Sequence, residues 1–331
     1  MTNPWTSLLP SLPAESNLAH GADTRGAILT PLPSLAVLRF TGPESAKFLQ
    51  GQTTTDFREI EKGRGLPGAI CSLKGRVLFS FTAIPDGEDV LLVLPADQIE
   101  GALTHLKKYA LFSKTQLSDA SSVCALAGIS GTEAAAHIKS LVGDVPAQSQ
   151  VIKGADGIWA TRPGPESRYL LGIPAGKLTA VLQQELTFAQ EKTWLAADIR
   201  DGLATIFAAS RDLFQPQELN YPAVEGVSYN KGCYTGQEIV ARLYFRGKLK
   251  QRLYRFEAIT TEPPAIGSNI LAEGKPAGEV VIAAKNESGS VELLAVVKNQ
   301  AVQKGALTLE KNGSAIRMLE LPYELAADKE E

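Results

Sequence analysis

From Lys248 onward the chain changes character: "RLYRFEAI", "GSNILAE", "AGEVVIAA", "VELLAVV" and "GALTLE" follow one another as short β-rich runs separated by turn residues. Runs that short, recurring about every 8–12 residues, pair into a small barrel or sandwich and leave no room for long helices. Residues 246–331 are therefore expected to form a separate C-terminal β domain.

Upstream, strand and helix patterns interleave. "SLAVLRF" (34–40) reads as a strand, and Thr41 with Glu44 predicts a capping box that opens a short helix ending near Gly51. "PGAICSL", "RVLFSFTAI" and "DVLLVLP" then read as an antiparallel meander turned at Lys74-Gly75 and Pro85-Asp86-Gly87. A helix is predicted over 96–110, with Ile99, Leu103, Leu106 and Ala110 on one face and Lys107 and Lys108 on the other. "VCALAGI" and "RYLLGIP" supply further strands, with helices near 131–142 and 175–187. The expected class is α+β, with one mixed unit over 31–121 and a second over 122–245. Residues 1–30, broken by Pro4, Pro10 and Pro13 and lacking a basic leader, read as a loose N-terminal arm.

Composition narrows the function. A net charge of −3 over 331 residues excludes an acidic disordered tail and a globally basic nucleic-acid binder, so any RNA contact is local. No apolar run approaches the roughly 20 residues that span a bilayer, and no membrane partner is expected. Three widely spaced cysteines argue against a disulfide framework and for the cytoplasm. His20, His105 and His137 are scattered and no C-x-x-C pair exists, so no metal site is expected. Nucleotide, dinucleotide, hydrolase and zincin motifs are all missing.

Chemistry concentrates in "KGCYTGQEIVAR" (231–242), where Cys233 precedes an amphipathic helix that Thr235 and Glu238 are expected to cap and Gly247 to stop. A thiol there is open to three readings: a packed small hydrophobe, a metal ligand or a reactive group. Helix dipole and the nearby Lys231 charge favour the thiolate. Cys71 and Cys124 sit in strand patterns and read as core. From Lys231 to Arg255 seven basic residues, including Arg242 and Arg246, face one acid, Glu238, with Tyr234, Tyr244, Phe245 and Tyr254 interleaved. Such a stretch suits phosphates and bases, or the glutamate tail and ring of a folate, or simply a solvated face. Gln217, Glu218 and Asn220 of "QPQELN" carry the donors and acceptors a pterin needs, and Trp194 offers a stacking surface.

The segment "KGCYTGQE" resembles the K-G-C-[FY]-x-G-Q-E signature of the folate-binding YgfZ family, relatives of the glycine-cleavage T protein. "QGQTTTD" (50–56), "LKKYALFSK" (106–114), "WLAADIRDGLA" (194–204), "PQELN", "VARLYFRG" (240–247) and the C-terminal "LPY" (321–323) agree in order. The resemblance implies a three-domain ring of the T-protein type, two mixed α+β units and a β-barrel around a central channel that accepts tetrahydrofolate or a derivative. It implies an accessory role in iron–sulfur cluster assembly or repair for client proteins, among them a radical enzyme that thiomethylates tRNA, with any tRNA contact indirect. By the same resemblance Cys233 is the functional thiol. Lys231, Gly232, Tyr234, Gly236, Gln237 and Glu238 shape its loop, and Arg242 and Arg246 belong to the adjoining basic surface. Trp194, Gln217, Asn220, Arg242 and Arg246 are the expected folate contacts, while Leu35 stands where some members carry a second folate-facing tryptophan. Two other classes remain to be weighed: a folate-dependent aminomethyl or one-carbon transferase, and a tRNA-binding module built on 242–255.

Overall fold

The computed structural model describes residues 3–11, 26–260, 262–286 and 289–325; the part of the expected arm at 12–25 lies outside the described residues. The strands are β1 (Ile28–Pro31), β2 (Leu35–Thr41), β3 (Leu66–Cys71), β4 (Val77–Asp86), β5 (Asp89–Pro95), β6 (Gln116–Asp119), β7 (Cys124–Ser130), β8 (Val151–Lys153) and β9 (Trp159–Thr161). They continue as β10 (Tyr169–Pro174), β11 (Thr187–Phe188), β12 (Gln251–Ala258), β13 (Asn269–Ala272), β14 (Lys275–Lys285), β15 (Val291–Lys298), β16 (Leu307–Leu309) and β17 (Ile316–Leu319). They form three sheets, in the orders β3-β4-β5-β2-β6, β11-β1-β7-β10-β9-β8 and β16-β13-β14-β15-β12-β17. The β3-β4-β5 meander stands where its turn signals predict it.

The chain divides into two compact units: Met1–Leu49, Phe57–Leu66 and Phe81–Trp194 in the first, and Gln50–Asp56, Pro67–Ser80 and Leu195–Glu331 in the second. In the first unit, antiparallel β1, β7, β10 and β9 lay Leu29, Ala127, Ile129 and Leu171 into one apolar cluster with Ile138 of the Ala134–Val142 helix. The loose-arm expectation needs correction at both of its described ends. Trp5 is fully buried in that cluster and donates Nε1–H to Leu126 O at 2.7 Å, and β1 is buried along its whole length. An indole removed from water contributes on the order of 2–3 kcal/mol, enough to hold a short segment in place. A second correction concerns Glu44, whose carboxylate does not serve a cap with Thr41: it accepts the Lys114 amide at 2.7 Å and thereby holds the loop before β6.

In the second unit β15 is buried on both faces from Val291 to Val297, which is why "VELLAVV" reads as a nearly unbroken apolar run. Leu293, Ala295 and Val297 face Phe256 and Val280, while Leu294 and Val296 join Leu253, Val281 and Ile282 in a core that also takes in Cys71, Ile199, Phe214 and Val240. Residue 245 thus marks a change of element type, and the core runs across it. The chain folds as an α+β protein with a β-rich C-terminal sheet.

Candidate functional site

The segment 50–56 organises the cysteine loop from below. Thr53, Thr54 and Thr55 are all fully buried, and each hydroxyl or carbonyl there needs a partner. Thr54 Oγ1 donates to Gly226 O at 2.6 Å and accepts the Ala69 amide, Thr55 Oγ1 donates to Pro67 O, and the Ser228 and Thr235 amides donate to Thr54 O and Gly51 O. The loop from 226 to 235 is therefore tied down at both ends.

Lys231 is the central tie. Its side chain is buried, and Nζ donates to Thr53 O and Thr55 O, both at 2.6 Å, while lying 5.0 Å from the Tyr234 ring centroid. A buried ammonium is tolerated only when its protons are satisfied, and backbone carbonyls do that here. The expectation that Lys231 lends its charge to Cys233 is thereby corrected: it clamps the loop to the 50–56 segment. Tyr234 is buried beside it, its hydroxyl has no hydrogen-bond partner among the described residues, and burial pushes its phenol well above the ordinary tyrosine range. Gly232 and Cys233 lie exposed between these two anchors.

The helix that follows runs Gln237–Arg246 with Gly236 as its N-cap, and no side chain among the described residues caps it. The expected box is absent because Thr235 Oγ1 reaches toward Gln52 at 3.5 Å, and Glu238 stands exposed in the first turn. Gly236 is required by geometry: at φ +83° an added Cβ would sit 2.5 Å from Ser72 O and 3.1 Å from Cys71 Cβ. Gly247 ends the helix as expected, its amide donating to Leu243 O.

Of the three thiols, Cys233 is exposed. Cys71 is sealed in the core, where burial pushes its thiol up to about 12, and Cys124, largely covered, is pushed up to about 12 by burial with Asp86 adding to the effect. Arg242, Arg246, Lys248 and Lys250 are exposed, with Tyr244 stacked on Tyr229 at 3.7 Å between centroids and Phe245 packed edge-on. Arg255 instead binds the Glu292 carboxylate at 2.6 Å, and Arg252 is buried, so the basic surface is narrower than the sequence suggests.

Of the expected folate contacts, Trp194, Gln217 and Asn220 are turned inward, while Arg242 and Arg246 are exposed. Trp194 is buried in the first unit, packed so close to Gly128 that a Cβ there would meet its ring at 2.2 Å, with the Arg168 guanidinium 4.3 Å from its ring centroid. Gln217 Nε2 donates to Val240 O, bracing the Gln237–Arg246 helix, and Asn220 Nδ2 donates to Leu253 O at 3.0 Å. Glu218 accepts the Gln215 amide at 2.8 Å and the Gln251 amide group at 3.0 Å, and burial raises its pKa. Asn220 and the Gln217 Nε2 group hold backbone, while the buried Gln217 Oε1 has no hydrogen-bond partner among the described residues. Sequence reasoning overlooked the clamp carbonyls of Thr53 and Thr55 and the Arg168–Trp194 pair. A run of three threonines, β-branched and small, between Gln52 and Asp56 was the available signal for the first. Among the described residues no group of three or more His, Cys, Asp and Glu side chains could hold a metal ion, and no helix is long and apolar enough to cross a membrane.

The order of sheets and helices places the chain among proteins with the aminomethyltransferase T fold. The crystal structure of glycine cleavage system aminomethyltransferase T from Bartonella henselae superposes with a TM-score of 0.74, covering 97% of each chain at 16% identity. No family model matches the chain. In sequence it is 32% identical over 306 residues to the tRNA-modifying protein YgfZ of Escherichia coli, covering 90% of this chain and 93% of that protein. It is 32% identical over 310 residues to tRNA-modifying protein YgfZ of Yersinia enterocolitica, covering 91% and 94%. The chain belongs to the YgfZ family.

Proposed function

We propose that the protein is a cytoplasmic accessory factor for tRNA modification, in which the Cys233 sulfur engages an iron–sulfur cluster or a sulfur species of a client enzyme. The observation that carries this reading is the exposure of Cys233 on a loop clamped through Lys231 to buried backbone, while Cys71 and Cys124 are held as thiols by burial. On losing its proton to solvent, an exposed sulfur becomes a soft ligand for iron. Clamping the loop limits the rotamer and backbone freedom that the thiol loses on engaging a client. The names of its relatives support the tRNA-modification role, and the iron–sulfur clients follow from the family resemblance.

Tetrahydrofolate follows from the resemblance, and no step of this reading passes through it. The exposed Arg242, Arg246, Lys248 and Lys250 favour one subsidiary reading, a local contact with tRNA phosphates. Likeness of fold to an aminomethyltransferase supports no transferase activity by itself.

The test is Cys233→Ala, followed by thiomethylated tRNA in cells carrying only the variant. A drop of at least about ten-fold with unchanged thermal unfolding is expected, equivalent to about 1.4 kcal/mol at the rate-determining interaction. Full thiomethylation by a normally folded variant ends the proposal.

A further inference from the structure

The turn Ala110–Phe112 carries an apolar tip far from ordinary for a surface: Phe112 is fully exposed, Leu111 is 77% exposed, and Tyr109 beside them is 46% exposed. Single exposed apolar residues need no explanation, whereas three within four positions form a patch. The tip is firmly mounted. The Lys114 amide donates to Glu44 Oε2 at 2.7 Å, Ser45 Oγ and Thr115 Oγ1 share a buried 2.7 Å hydrogen bond, and the His105 and Tyr109 rings pack with centroids 5.3 Å apart. The segment itself is basic: between Glu100 and Asp119 stand three lysines, Lys107, Lys108 and Lys114, all exposed, and no acid, with the Glu44 carboxylate lying against Lys114 at the base of the tip.

A second feature adjoins the tip. Strand β6 ends its sheet, paired on one side with β2 from Leu38↔Asp119 to Thr41↔Gln116 and on the other with no strand among the described residues. Its open edge begins at a cleft of about 420 Å³ lined by Thr41, Ser113, Lys114 and Gln116. An unpaired edge offers alternating N–H and C=O groups, which a partner strand satisfies.

We propose that the Tyr109–Phe112 tip and the β6 edge form a docking surface for an extended, acid-flanked apolar segment of a partner protein. The apolar side chains of that segment pack on Leu111 and Phe112, its backbone pairs with β6, and its carboxylates face Lys107, Lys108 and Lys114. Lipid does not fit, because covering β6 with hydrocarbon leaves its backbone groups unsatisfied. RNA fits less well than protein, since Leu111 gives no flat face for stacking and nucleotides do not complete a strand edge. Taking the partner to be the client enzyme rests on the functional reading above.

The experiment titrates the full-length protein with the purified tRNA-thiomethylating iron–sulfur enzyme, and in parallel with a single-stranded RNA oligomer and with phosphatidylcholine/phosphatidylglycerol vesicles. Wild type is expected to bind the enzyme. Leu111→Ser/Phe112→Ser is expected to bind at least ten-fold more weakly, and Lys107→Glu/Lys108→Glu to weaken binding and flatten its salt dependence. Amide hydrogen exchange at 116–119 is expected to slow in the complex. The proposal is overturned if wild type does not bind the enzyme, if the tip variants bind it as wild type does, if the β6 amides stay unprotected, or if the tip variants lose only RNA or vesicle binding. The Cys233→Ala arm reads thiomethylation separately, so failure of the thiol reading leaves the docking result intact, and the reverse.

Discussion

Cys71 and Cys233 flank the same glycine and have opposite fates. Gly236 stands three positions after Cys233, and a Cβ on it would lie 3.1 Å from Cys71 Cβ. Below the loop, Cys71 closes β3 inside an apolar core and its thiol is pushed up to about 12. Above it, Cys233 faces solvent between two buried neighbours in sequence, Lys231 and Tyr234. One amino-acid type thus supplies a packing unit on one side and a chemically available sulfur on the other. The difference comes from burial, and burial here is set by how Lys231 pins the loop.

The largest effect separating the two sides is expected from Cys233→Ala, which removes client activity by about ten-fold or more while Cys71→Ala, measured in the same thiomethylation assay, leaves it within a factor of about two in a folded protein. Breaking the clamp comes next. Lys231→Met leaves the Thr53 and Thr55 carbonyls without their donor, and because each buried carbonyl left unpaired costs about 1–3 kcal/mol, urea unfolding should show a loss on the order of 2–4 kcal/mol. Lys231→Arg should restore little, since a planar fork does not fit a site shaped for a point ammonium. Gly236→Ala forces a left-handed alanine against Ser72 O and should cost about 1–3 kcal/mol, measured the same way, with Cys233 reactivity altered because the loop must shift.

Reactivity itself sharpens the contrast: a thiol reagent at pH 8 should label one cysteine rapidly, mapped by mass spectrometry to Cys233, with Cys71 and Cys124 labelled only after denaturation. The smallest step is alkaline. Cys71 stays protonated in the folded chain up to about 12 but ionises near 8.5–9 once unfolded, so the unfolded state binds fewer protons across that window. Folding stability should decline as pH rises from about 9 to 12, and Cys71→Ala should flatten the decline. A curve of unchanged slope for Cys71→Ala would show that the sealed thiol does not differ from the exposed one in the way its burial demands.

Much of the scaffold was legible along the chain. The β3-β4-β5 meander, the strands at β7 and β10 and the C-terminal train appear where alternation and turn residues place them, because strand periodicity is local and both-face burial leaves apolar runs such as "VELLAVV". The cysteine signature could also be read, together with its glycines. Two local predictions failed for one reason: Glu44 and Thr235 were expected to serve their own helices, and each found a partner elsewhere, at Lys114 and Gln52. A polar side chain within reach of two partners follows the one that folding brings closer, and spacing alone does not record that.

What the sequence determined by itself is the inventory: which runs become strands, where glycine permits a left-handed turn before the Gln237–Arg246 helix, and that a lone cysteine sits ahead of it. What only the tertiary structure decided is the direction each group faces. Lys231 turns inward to carbonyls some 176 to 178 positions away in the chain, Trp194 packs against Gly128 and Arg168, and Phe112 points outward. Those choices are made by long-range burial, since removing an ammonium or an indole from water is tolerated only where distant backbone or side chains complete its contacts.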